Sequence, residues 1–309
     1  MKACRVHRFG PPDVIAFEDI PRPLPGRGEV LVRVKAAGVG PWDAWIRAGK
    51  SVQPQPLPLT LGSDLSGLVE VVGPGVTLLK PDSEVFGVRN RRFTGAYAER
   101  AVAAADMIAT KPARLKDVEA ASVPVVAVTA QQPLDQTHLV SGQTVLIHGA
   151  GGNVGAYTVQ LARRAGLRII ATAGARDVET VRSLGAHDVI DHRAGAFEDR
   201  AKDVDAVIDL VGGEVQTRSF AVLRPGGVLL SAVSQPDQTA AGRQGVRALF
   251  FLVEVTTAHL ARIAGMIDAG ELTTNLGTVL PLADARIAHE MLEGLRSRSS
   301  GKIVLSVGE

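Results

Sequence analysis

Short apolar runs separated by turn residues fill the first third of the chain. Alternating or β-branched positions occur at residues 30–34, 68–72, 84–88 and 97–102, and 11 of the 17 prolines lie before or between these runs. Apolar residues at every second position place one face of a strand in a core, and proline and glycine end such strands. The pattern therefore predicts many short strands, arranged as a β-rich barrel or sandwich.

From residue 143 the pattern changes to strands that alternate with helices. The predicted strands are 144–148, 168–173, 188–191, 205–210 and 227–232, and the predicted helices are 154–165, 177–184, 197–202 and 214–223. Gly166 and Gly185 follow two of these helices, where a glycine ends a helix most readily. This alternation with short links is typical of a parallel sheet covered on both faces, a doubly wound fold. Residues 301–307 form a last strand without a following helix and fit the β-rich part better.

We therefore predict an α/β protein of two domains, and its 309 residues are enough for two cores. A β-rich catalytic domain comprises residues 1–121 and 272–309, and a dinucleotide-binding domain comprises residues 122–271. We expect the active site in the cleft between them, at the carboxyl ends of the parallel strands.

Charge and cysteine content narrow the class further. The chain has 34 basic and 32 acidic residues, a net charge of +2 that gives no indication of a nucleic-acid or membrane partner. No apolar run approaches the roughly 18 residues of a membrane span, and the first ten residues lack the apolar stretch of a signal peptide. Cys4 is the only cysteine, which excludes an intramolecular disulfide and a multi-cysteine zinc site. We expect a cytoplasmic protein.

The strongest motif is the run from Val145 to Ala156, a buried strand followed by a glycine-rich turn and an amphipathic helix. Glycine permits a tight turn and lets the backbone approach a diphosphate, which the first N–H groups of the helix then bind. Gly155 would allow the helix to pack closely on the strand. The alternative is a structural turn without a ligand. Because the motif opens a strand–helix series, we predict a dinucleotide site.

The end of the second strand indicates which dinucleotide binds. NAD enzymes usually place a carboxylate there to bind the ribose 2′-hydroxyl, but here the strand ends in Ala173 and Gly174, followed by Arg176. The first carboxylate, Asp177, lies beyond that arginine. An arginine after small residues suits a 2′-phosphate, so we predict NADPH. His192 and Arg193 would add to this pocket, the alternative being a solvated loop.

Several stretches together identify a family. They are 36–39, 43–49, 62–67 continuing to Val76, 95–99, 128–130, the glycine loop, 183–186, 223–227 and 301–305. They resemble the zinc-independent quinone oxidoreductases of the medium-chain dehydrogenase/reductase superfamily, the NADPH:quinone reductase and ζ-crystallin branch. The resemblance covers nearly the whole chain. It implies a GroES-like fold for the β-rich domain and a homodimer paired through the nucleotide-domain sheet, with the apolar segment 249–255 at the contact.

The resemblance also implies the residues that hold the cofactor. The expected set comprises Thr129, Gly149, Gly151, Gly152, Asn153, Val154, Gly155, Ala173, Gly174, Arg176, His192, Val211, Ser231, Ala232, Val233, Phe251 and Val253. Zinc-dependent relatives carry a cysteine near Gly40 and Gly-His-Glu at residues 62–64, where this chain has Gly-Ser-Asp. No metal site is therefore expected.

Two positions depart from the family pattern. Typical members have asparagine at the position of Gly40 and tyrosine at that of Trp45. The cleft that binds the substrate is therefore expected to be more apolar and aromatic than usual. Trp45, Thr129 and Asp43 are the candidate catalytic residues. Core packing is the alternative for Trp42 and Trp45, and a structural hydrogen bond is the alternative for Asp43.

The resemblance implies reduction of a quinone or an α,β-unsaturated carbonyl compound by hydride from NADPH. Two alternatives stay open: a dedicated enoyl reductase of a biosynthetic pathway, and a non-catalytic NADPH-binding protein with a crystallin or nucleic-acid-binding role. The basic run from Arg89 to Arg92 has two interpretations, a solvated loop or a positive patch that attracts an acidic substrate or a phosphate.

Overall fold

The computed structural model describes residues 1–308, which form two compact units. The first unit contains Met1–Val125 and the residues from Val255 onward, and the second unit contains Val126–Glu254. The domain limits expected from the sequence, at residues 121 and 271, stay a prediction. Among the described residues, no helix has the length and apolar character that crossing a membrane requires.

The first unit opens with eight short strands and two helices. These elements are β1 (Lys2–Val6), β2 (Ile15–Asp19), β3 (Glu29–Val39), α1 (Pro41–Arg47), β4 (Leu59–Thr60), β5 (Asp64–Val72), β6 (Glu84–Val88), β7 (Arg100–Ala104), β8 (Ile108–Thr110) and α2 (Asp117–Ala120). The next helix, α3 (Pro124–Thr137), continues into the second unit.

The second unit alternates strands and helices as its hydrophobic pattern predicts. Its elements after α3 are β9 (Thr144–His148), α4 (Asn153–Arg164), β10 (Arg168–Ala173), α5 (Val178–Ser183), β11 (Asp188–Asp191), β12 (Val204–Asp209), α6 (Glu214–Arg218), β13 (Leu223–Ser231), α7 (Gln238–Arg243) and β14 (Arg247–Phe250). The chain then returns to the first unit with α8 (Thr257–Asp268), β15 (Leu276–Pro281), α9 (Ala285–Leu292) and β16 (Lys302–Ser306).

A seven-stranded, mostly antiparallel sheet forms the frame of the first unit. Its order is β15-β16-β3-β5-β6-β8, with β7 paired to β3, and a smaller sheet has the order β2-β1-β4. The last strand, β16, pairs antiparallel with β3 and parallel with β15. The expectation that the C-terminal strand belongs to the β-rich part is therefore confirmed.

The second unit is built on a six-stranded parallel sheet with the order β11-β10-β9-β12-β13-β14. Successive residues of β9 point to opposite faces, so Ile147 packs in one apolar cluster and Leu146 in another. The strand order reverses at β9, whose neighbours are β10 and β12. Such a switch point opens a crevice at the carboxyl ends of the strands. The predicted doubly wound fold is confirmed.

Two predicted helices are wrong in part. The segment predicted as helix 197–202 contains only a 3₁₀ turn, Phe197–Asp199, and Asp203 follows with a φ of 51°. The helix predicted at 214–223 ends at Arg218 and continues as a 3₁₀ turn, Ser219–Val222. The packing of Phe197 against His148, with ring centroids 4.6 Å apart, fixes the first segment by tertiary contact rather than by helical propensity.

Candidate functional site

The glycine loop between β9 and α4 is held against the neighbouring strand β10. The Ala150 N–H donates to the Thr172 carbonyl at 2.9 Å, and the Gly149 N–H donates to the Thr172 hydroxyl at 3.3 Å. Gly149 has a φ of 75°, and the Gly152 N–H closes the turn on the Gly149 carbonyl at 3.0 Å. A positive φ is accessible to glycine at little cost. The loop therefore presents its backbone at the start of α4.

The glycines of this loop leave space beside its backbone that a diphosphate needs. A Cβ atom on Gly155 would lie 2.3 Å from the Gly149 oxygen and 2.5 Å from the Ala150 Cα atom, so the helix touches the loop directly. A Cβ atom on Gly152 would meet only the Gly149 oxygen, at 3.3 Å. The first N–H groups of a helix have no intrahelical partner and carry the positive end of its dipole. Gly149 to Gly155 therefore fit a dinucleotide diphosphate.

Asp209 organises the carboxyl ends of β12 and β13. This fully buried carboxylate accepts hydrogen bonds from the Val211 and Gly212 N–H groups at 3.0 and 2.8 Å. It also accepts from Gln216 at 2.8 Å and from the Ser231 hydroxyl at 2.9 Å. Sequence reasoning named Val211 and Ser231 and missed Asp209. The available signal was an aspartate that directly follows the apolar residues of β12, beside Gly212 and Gly213.

Two side chains at this edge are available to a ligand. Val211 is 49% exposed and Val233 is 45% exposed, although both are apolar. The Val233 N–H donates to the Ser231 hydroxyl at 3.2 Å, and the Ala232 N–H donates to the Asp209 carbonyl at 3.1 Å. Apolar side chains beside fixed polar groups are typical of ligand sites.

The predicted 2′-phosphate pocket lies where β10 and β11 end side by side. Ala173 pairs with Asp191, and His192 contacts the Ala173 carbonyl through its Nδ1 atom at 2.8 Å. A Cβ atom on Gly174 would lie 3.6 Å from the Cε1 atom of His192. Arg176 is exposed on the following 3₁₀ turn, Ala175–Asp177. The structure thus brings Gly174 and His192 together, with Arg176 two residues further along.

Asp177 is closer to the glycine loop than its sequence position suggested. A Cβ atom on Gly151 would meet both the Cβ and the Oδ2 atom of Asp177 at 2.7 Å. The aspartate side chain therefore packs directly on the loop. Asp177 is half-buried. A carboxylate can accept a hydrogen bond from a hydroxyl group, and sequence reasoning assigned Asp177 no such role.

His148, the last residue of β9, is a structural residue. Its ring contacts the Thr172 and Ser219 hydroxyls at 3.1 and 3.0 Å, and it is fully buried. Burial lowers the pKa of His148 to about 4. The ring is therefore neutral near pH 7 and holds β9 to its surroundings rather than moving a proton.

The remaining cofactor candidates lie on α3 and after β14. Thr129 is 9% exposed in α3. Phe251 is buried, and its N–H donates to the Ser231 carbonyl at 3.2 Å. Val253 is half-buried two residues later. The structure therefore joins Phe251 to the Ser231 edge, and the cofactor roles of Thr129 and Val253 stay predictions.

In the first unit, Asp43 is part of a buried polar cluster. Its Oδ2 atom accepts from the Gly40 N–H at 2.8 Å and from the Tyr97 hydroxyl at 3.2 Å. Asp43 is fully buried, and burial raises its pKa to about 8 despite the opposing hydrogen bond from Gly40 and the charge of Lys302. These contacts hold the first turn of α1, so the geometry favours the structural alternative for Asp43.

The pKa of Asp43 predicts a pH-dependent contribution to stability. Because the folded-state pKa, about 8, exceeds the ordinary 3.8, the protonated form favours folding. That contribution is complete below about pH 4 and is lost as the pH rises toward 8. As the pH rises from about 4 to 8, we expect the unfolding free energy of the wild type to fall relative to that of Asp43→Asn, as measured by urea denaturation. The exposed Asp13→Asn variant serves as the control. Parallel curves for Asp43→Asn and wild type would contradict this assignment.

A buried ion pair lies beside this cluster. Lys302 Nζ is 3.0 Å from Asp64 Oδ2, both residues are nearly inaccessible, and the ammonium lies 4.2 Å from the centre of the Trp42 ring. Burial raises the pKa of Asp64, and Lys302 opposes this shift. The Val125 N–H also donates to Asp64 at 3.2 Å. The carboxylate thus has its charge compensated within the protein.

The two tryptophans of α1 have different environments. A Cβ atom on Gly40 would lie 2.3 Å from Trp42, so the indole occupies the space of a side chain at residue 40. The Trp42 N–H donates to the Ser63 hydroxyl at 2.7 Å. Trp45 is 56% exposed, which contradicts core packing for this residue. Gly40 and Trp42 are therefore a matched pair, and Trp45 presents an aromatic surface.

No group of three or more histidine, cysteine, aspartate or glutamate side chains within residues 1–308 has the geometry to hold a metal ion. Cys4 is buried, its thiol donates to the Leu282 carbonyl at 3.1 Å, and burial raises its pKa to about 12. This thiol is therefore protonated at neutral pH.

A parallel sheet with a glycine loop at its switch point, joined in one chain to a GroES-like antiparallel unit, defines the medium-chain dehydrogenase/reductase class. A family described as alcohol dehydrogenase GroES-like domain matches residues 26–113, and one described as zinc-binding dehydrogenase matches residues 184–305. The chain is 32% identical to a quinone oxidoreductase of Sus scrofa, across 99% of this chain and 97% of that protein. It belongs to the quinone oxidoreductase family of this superfamily.

Solved structures agree with this assignment. The quinone oxidoreductase of Coxiella burnetii superposes with a TM-score of 0.92 at 32% identity, covering 100% of this chain and 99% of that one. The Escherichia coli quinone oxidoreductase, solved in complex with NADPH, superposes with a TM-score of 0.88 at 26% identity, covering 98% and 100%.

Proposed function

We propose that this protein is an NADPH-dependent oxidoreductase that reduces quinones or α,β-unsaturated carbonyl compounds. The observation that carries the proposal is the glycine-rich loop from Gly149 to Gly155, in which four of seven residues are glycine and which is closed against the first turn of α4. The quinone oxidoreductase relatives and the NADPH complex of one of them support the same activity.

Each part of the second unit has a distinct task in this proposal. The first turn of α4 binds the diphosphate through backbone N–H groups, which stabilise negative charge without a counter-cation. Arg176 and His192 bind the 2′-phosphate, since a guanidinium forms charge-assisted hydrogen bonds with phosphate oxygens. Val211, Ser231 and Val233 line the path of the ribose and nicotinamide. Asp209 fixes that path by holding the backbone after β12 and the Ser231 hydroxyl.

When bound, NADPH supplies the hydride, and the acceptor takes up a proton from solvent. The chain orients the acceptor and stabilises negative charge on its oxygen. We propose that Thr129 and the Trp45 indole N–H serve the second task, because both are hydrogen-bond donors. Asp43 holds α1 and thereby the backbone that carries Trp45.

Steady-state NADPH consumption with a panel of acceptors tests the proposal. We expect turnover with 1,4-benzoquinone or with cyclohexenone, and the preferred acceptor identifies the substrate class. A protein that turns over only acyl-thioester enones would be a dedicated enoyl reductase. Bound NADPH without turnover on any acceptor would identify a non-catalytic binding protein.

Trp45 is expected to bind planar acceptors. Stacking of aromatic rings contributes about 0.5–1.5 kcal/mol beyond burial, so Trp45→Ala should raise KM for aromatic quinones about two- to tenfold and leave small enones nearly unchanged. Trp45→Tyr should preserve or raise turnover, because it restores a hydroxyl. Phe17→Ala, an aromatic deletion at a 43% exposed site of the same unit, is the control. Equal losses on every acceptor would argue against an acceptor contact.

We further propose that turnover requires no zinc. Lys302 already neutralises Asp64, and the Trp42 indole fills the space beside Gly40, where zinc-dependent relatives carry a ligand. A second cation beside Lys302 would be repelled. Elemental analysis should find no stoichiometric zinc, and a chelator should leave turnover unchanged. One zinc per chain with activity lost to the chelator would overturn this.

We also propose a cytoplasmic homodimer. Strand β14 is an edge strand of the parallel sheet; Leu249 within it is 41% exposed and Leu252, two residues after its end, is 66% exposed. An open edge flanked by apolar side chains is a site for pairing with a second copy. Light scattering at micromolar concentration distinguishes a dimer from a monomer.

A further inference from the structure

A cavity of about 370 Å³ lies in the first unit, lined only by residues of that unit. Its walls come from β1, from the chain that follows β2, from the segment around Pro56, from the loop after β6 and from β7. Ile20, Pro21, Pro56 and Val102 give it an apolar side. A volume of this size accommodates a small organic molecule. The proposed function assigns no role to this cavity.

Four arginines and no carboxylate line the cavity. They are Arg5, Arg89, Arg92 and Arg100. Arg89 and Arg92 come from the basic run that the sequence singled out, and the loop that carries them includes Phe93 with a φ of 58°. A left-handed φ is unusual for a bulky residue and marks a loop held by its surroundings.

The carboxylates around the cavity compensate this charge only in part. Arg5 pairs with Glu18 at 3.3 Å, and that carboxylate also contacts His7 at 3.0 Å. Arg100 pairs with Glu70 at 3.0 Å, but Glu70 also forms an ion pair with Arg22 at 2.9 Å.

The other two lining arginines, Arg89 and Arg92, form no ion pair within residues 1–308. Burial lowers the pKa of Arg89, and the charge of Glu29 offsets this only in part. Glu29 itself accepts from the Gly26 N–H at 2.9 Å. The cavity is therefore left with excess positive charge.

In two of the lining guanidinium groups, one buried N–H has no acceptor. The Nε atoms of Arg5 and Arg89 are buried and meet no hydrogen-bond acceptor among the described residues. Arg89 donates through Nη1 to the Thr94 carbonyl at 3.0 Å, and Asn90 donates to the same oxygen. A Cβ atom on Gly95 would lie 2.6 Å from the Arg89 guanidinium, which therefore packs flat on the backbone. Two buried N–H groups at this cavity are therefore without an acceptor, while the Thr94 carbonyl holds the Arg89 guanidinium.

We propose that this cavity binds a small organic oxyanion, with a phosphate or carboxylate head on a compact apolar body. The head contacts the guanidinium groups of Arg89 and Arg92, which form no ion pair with another residue of the described chain. The apolar body packs on the proline-rich wall. None of the residues that line this cavity belongs to the dinucleotide loop. A ligand bound in the cavity stabilises the native state by mass action.

Calorimetric titration of the whole protein at low salt tests this proposal. The probes are phenyl phosphate, benzoate, inorganic phosphate and the uncharged benzyl alcohol. We expect phenyl phosphate or benzoate to bind, and the tighter of the two identifies the head group. We expect inorganic phosphate to bind more weakly and benzyl alcohol not to bind. Added salt should weaken binding, because the attraction is between charges.

Matched arginine variants locate the site. Arg92→Ala should weaken binding of the tighter probe by about tenfold or more, the value of one charge-assisted hydrogen bond. Arg89→Gln should weaken it further. Arg91→Ala is the control, because Arg91 pairs with the exposed Asp106 at 3.3 Å and lies outside the cavity lining. Arg176→Ala should leave binding of the probe unchanged. The titration therefore tests the cavity independently of the proposed NADPH site.

Three outcomes would overturn the proposal. One is the absence of binding by every anionic probe. Another is an equal loss in Arg91→Ala and Arg92→Ala, which would show non-specific attraction to the loop. The third is loss of binding in Arg176→Ala, which would place the probe in the dinucleotide site.

Discussion

Replacing Gly155 by alanine is expected to weaken NADPH binding by about tenfold to a hundredfold, because losing one charge-assisted hydrogen bond to the diphosphate costs roughly 1.5–3 kcal/mol. The new Cβ atom would lie 2.3 Å from the Gly149 oxygen and 2.5 Å from the Ala150 Cα atom. Both contacts are with backbone, so relief requires the helix and the loop to separate. The N–H groups of the first turn of α4 would then no longer converge on the diphosphate.

Fluorescence titration with NADPH measures this loss, and urea denaturation shows that the variant is folded. Overpacking is expected to cost about 1–3 kcal/mol of stability, too little to unfold a typical domain. Gly242→Ala is the matched control, since a Cβ atom there meets nothing within 4 Å and Gly242 lies in α7. If Gly155→Ala binds NADPH as tightly as the wild type, the glycine loop is not the diphosphate site.

Removing the Arg176 side chain is expected to weaken the binding of NADPH but not that of NADH. A charge-assisted hydrogen bond to the 2′-phosphate contributes roughly 1.5–3 kcal/mol, so Arg176→Ala should weaken NADPH about tenfold to a hundredfold. NADH lacks that phosphate, and its affinity should be nearly unchanged. The wild type should accordingly prefer NADPH, as titration with each cofactor would show.

Arg243→Ala is the control for this experiment. Arg243 is exposed in the last turn of α7, which runs back from the carboxyl edge of the sheet to the start of β14. It therefore lies at the edge opposite to the dinucleotide site. Tighter binding of NADH than of NADPH, together with its loss in Asp177→Asn, would contradict the assignment. That result would make Asp177, packed on Gly151, the ribose acceptor.

The second unit was largely predictable because its signals are local. Strands Thr144–His148, Arg168–Ala173 and Asp188–Asp191 occur at the predicted bounds, since each is an apolar run limited by polar or glycine residues. The unpredicted α7 lies in a polar, glycine-containing stretch without apolar periodicity. Its start is fixed by Asp237, whose side chain accepts from the Thr239 and Ala240 N–H groups. The four-residue β14 shows no alternation that would distinguish it from an apolar loop.

The contacts that explain the first unit are distant in sequence. Lys302 and Asp64 are 238 residues apart, and Tyr97 and Asp43 are 54 apart. No spacing rule relates such pairs, so the compensation of Asp64 and the structural role of Asp43 emerge only from the fold. The same holds for the arginine-lined cavity, whose walls come from five separate segments.

Single-turnover mixing tests the central claim most directly. Protein loaded with NADPH is mixed with limiting 1,4-benzoquinone, and the absorbance of the reduced nicotinamide is followed, with Gly155→Ala in the same mixture as the blank. The account predicts a rapid loss of absorbance equivalent to one NADPH per quinone, well above the blank. An absorbance that stays constant while NADPH is bound, or that falls no faster than in Gly155→Ala, would contradict it.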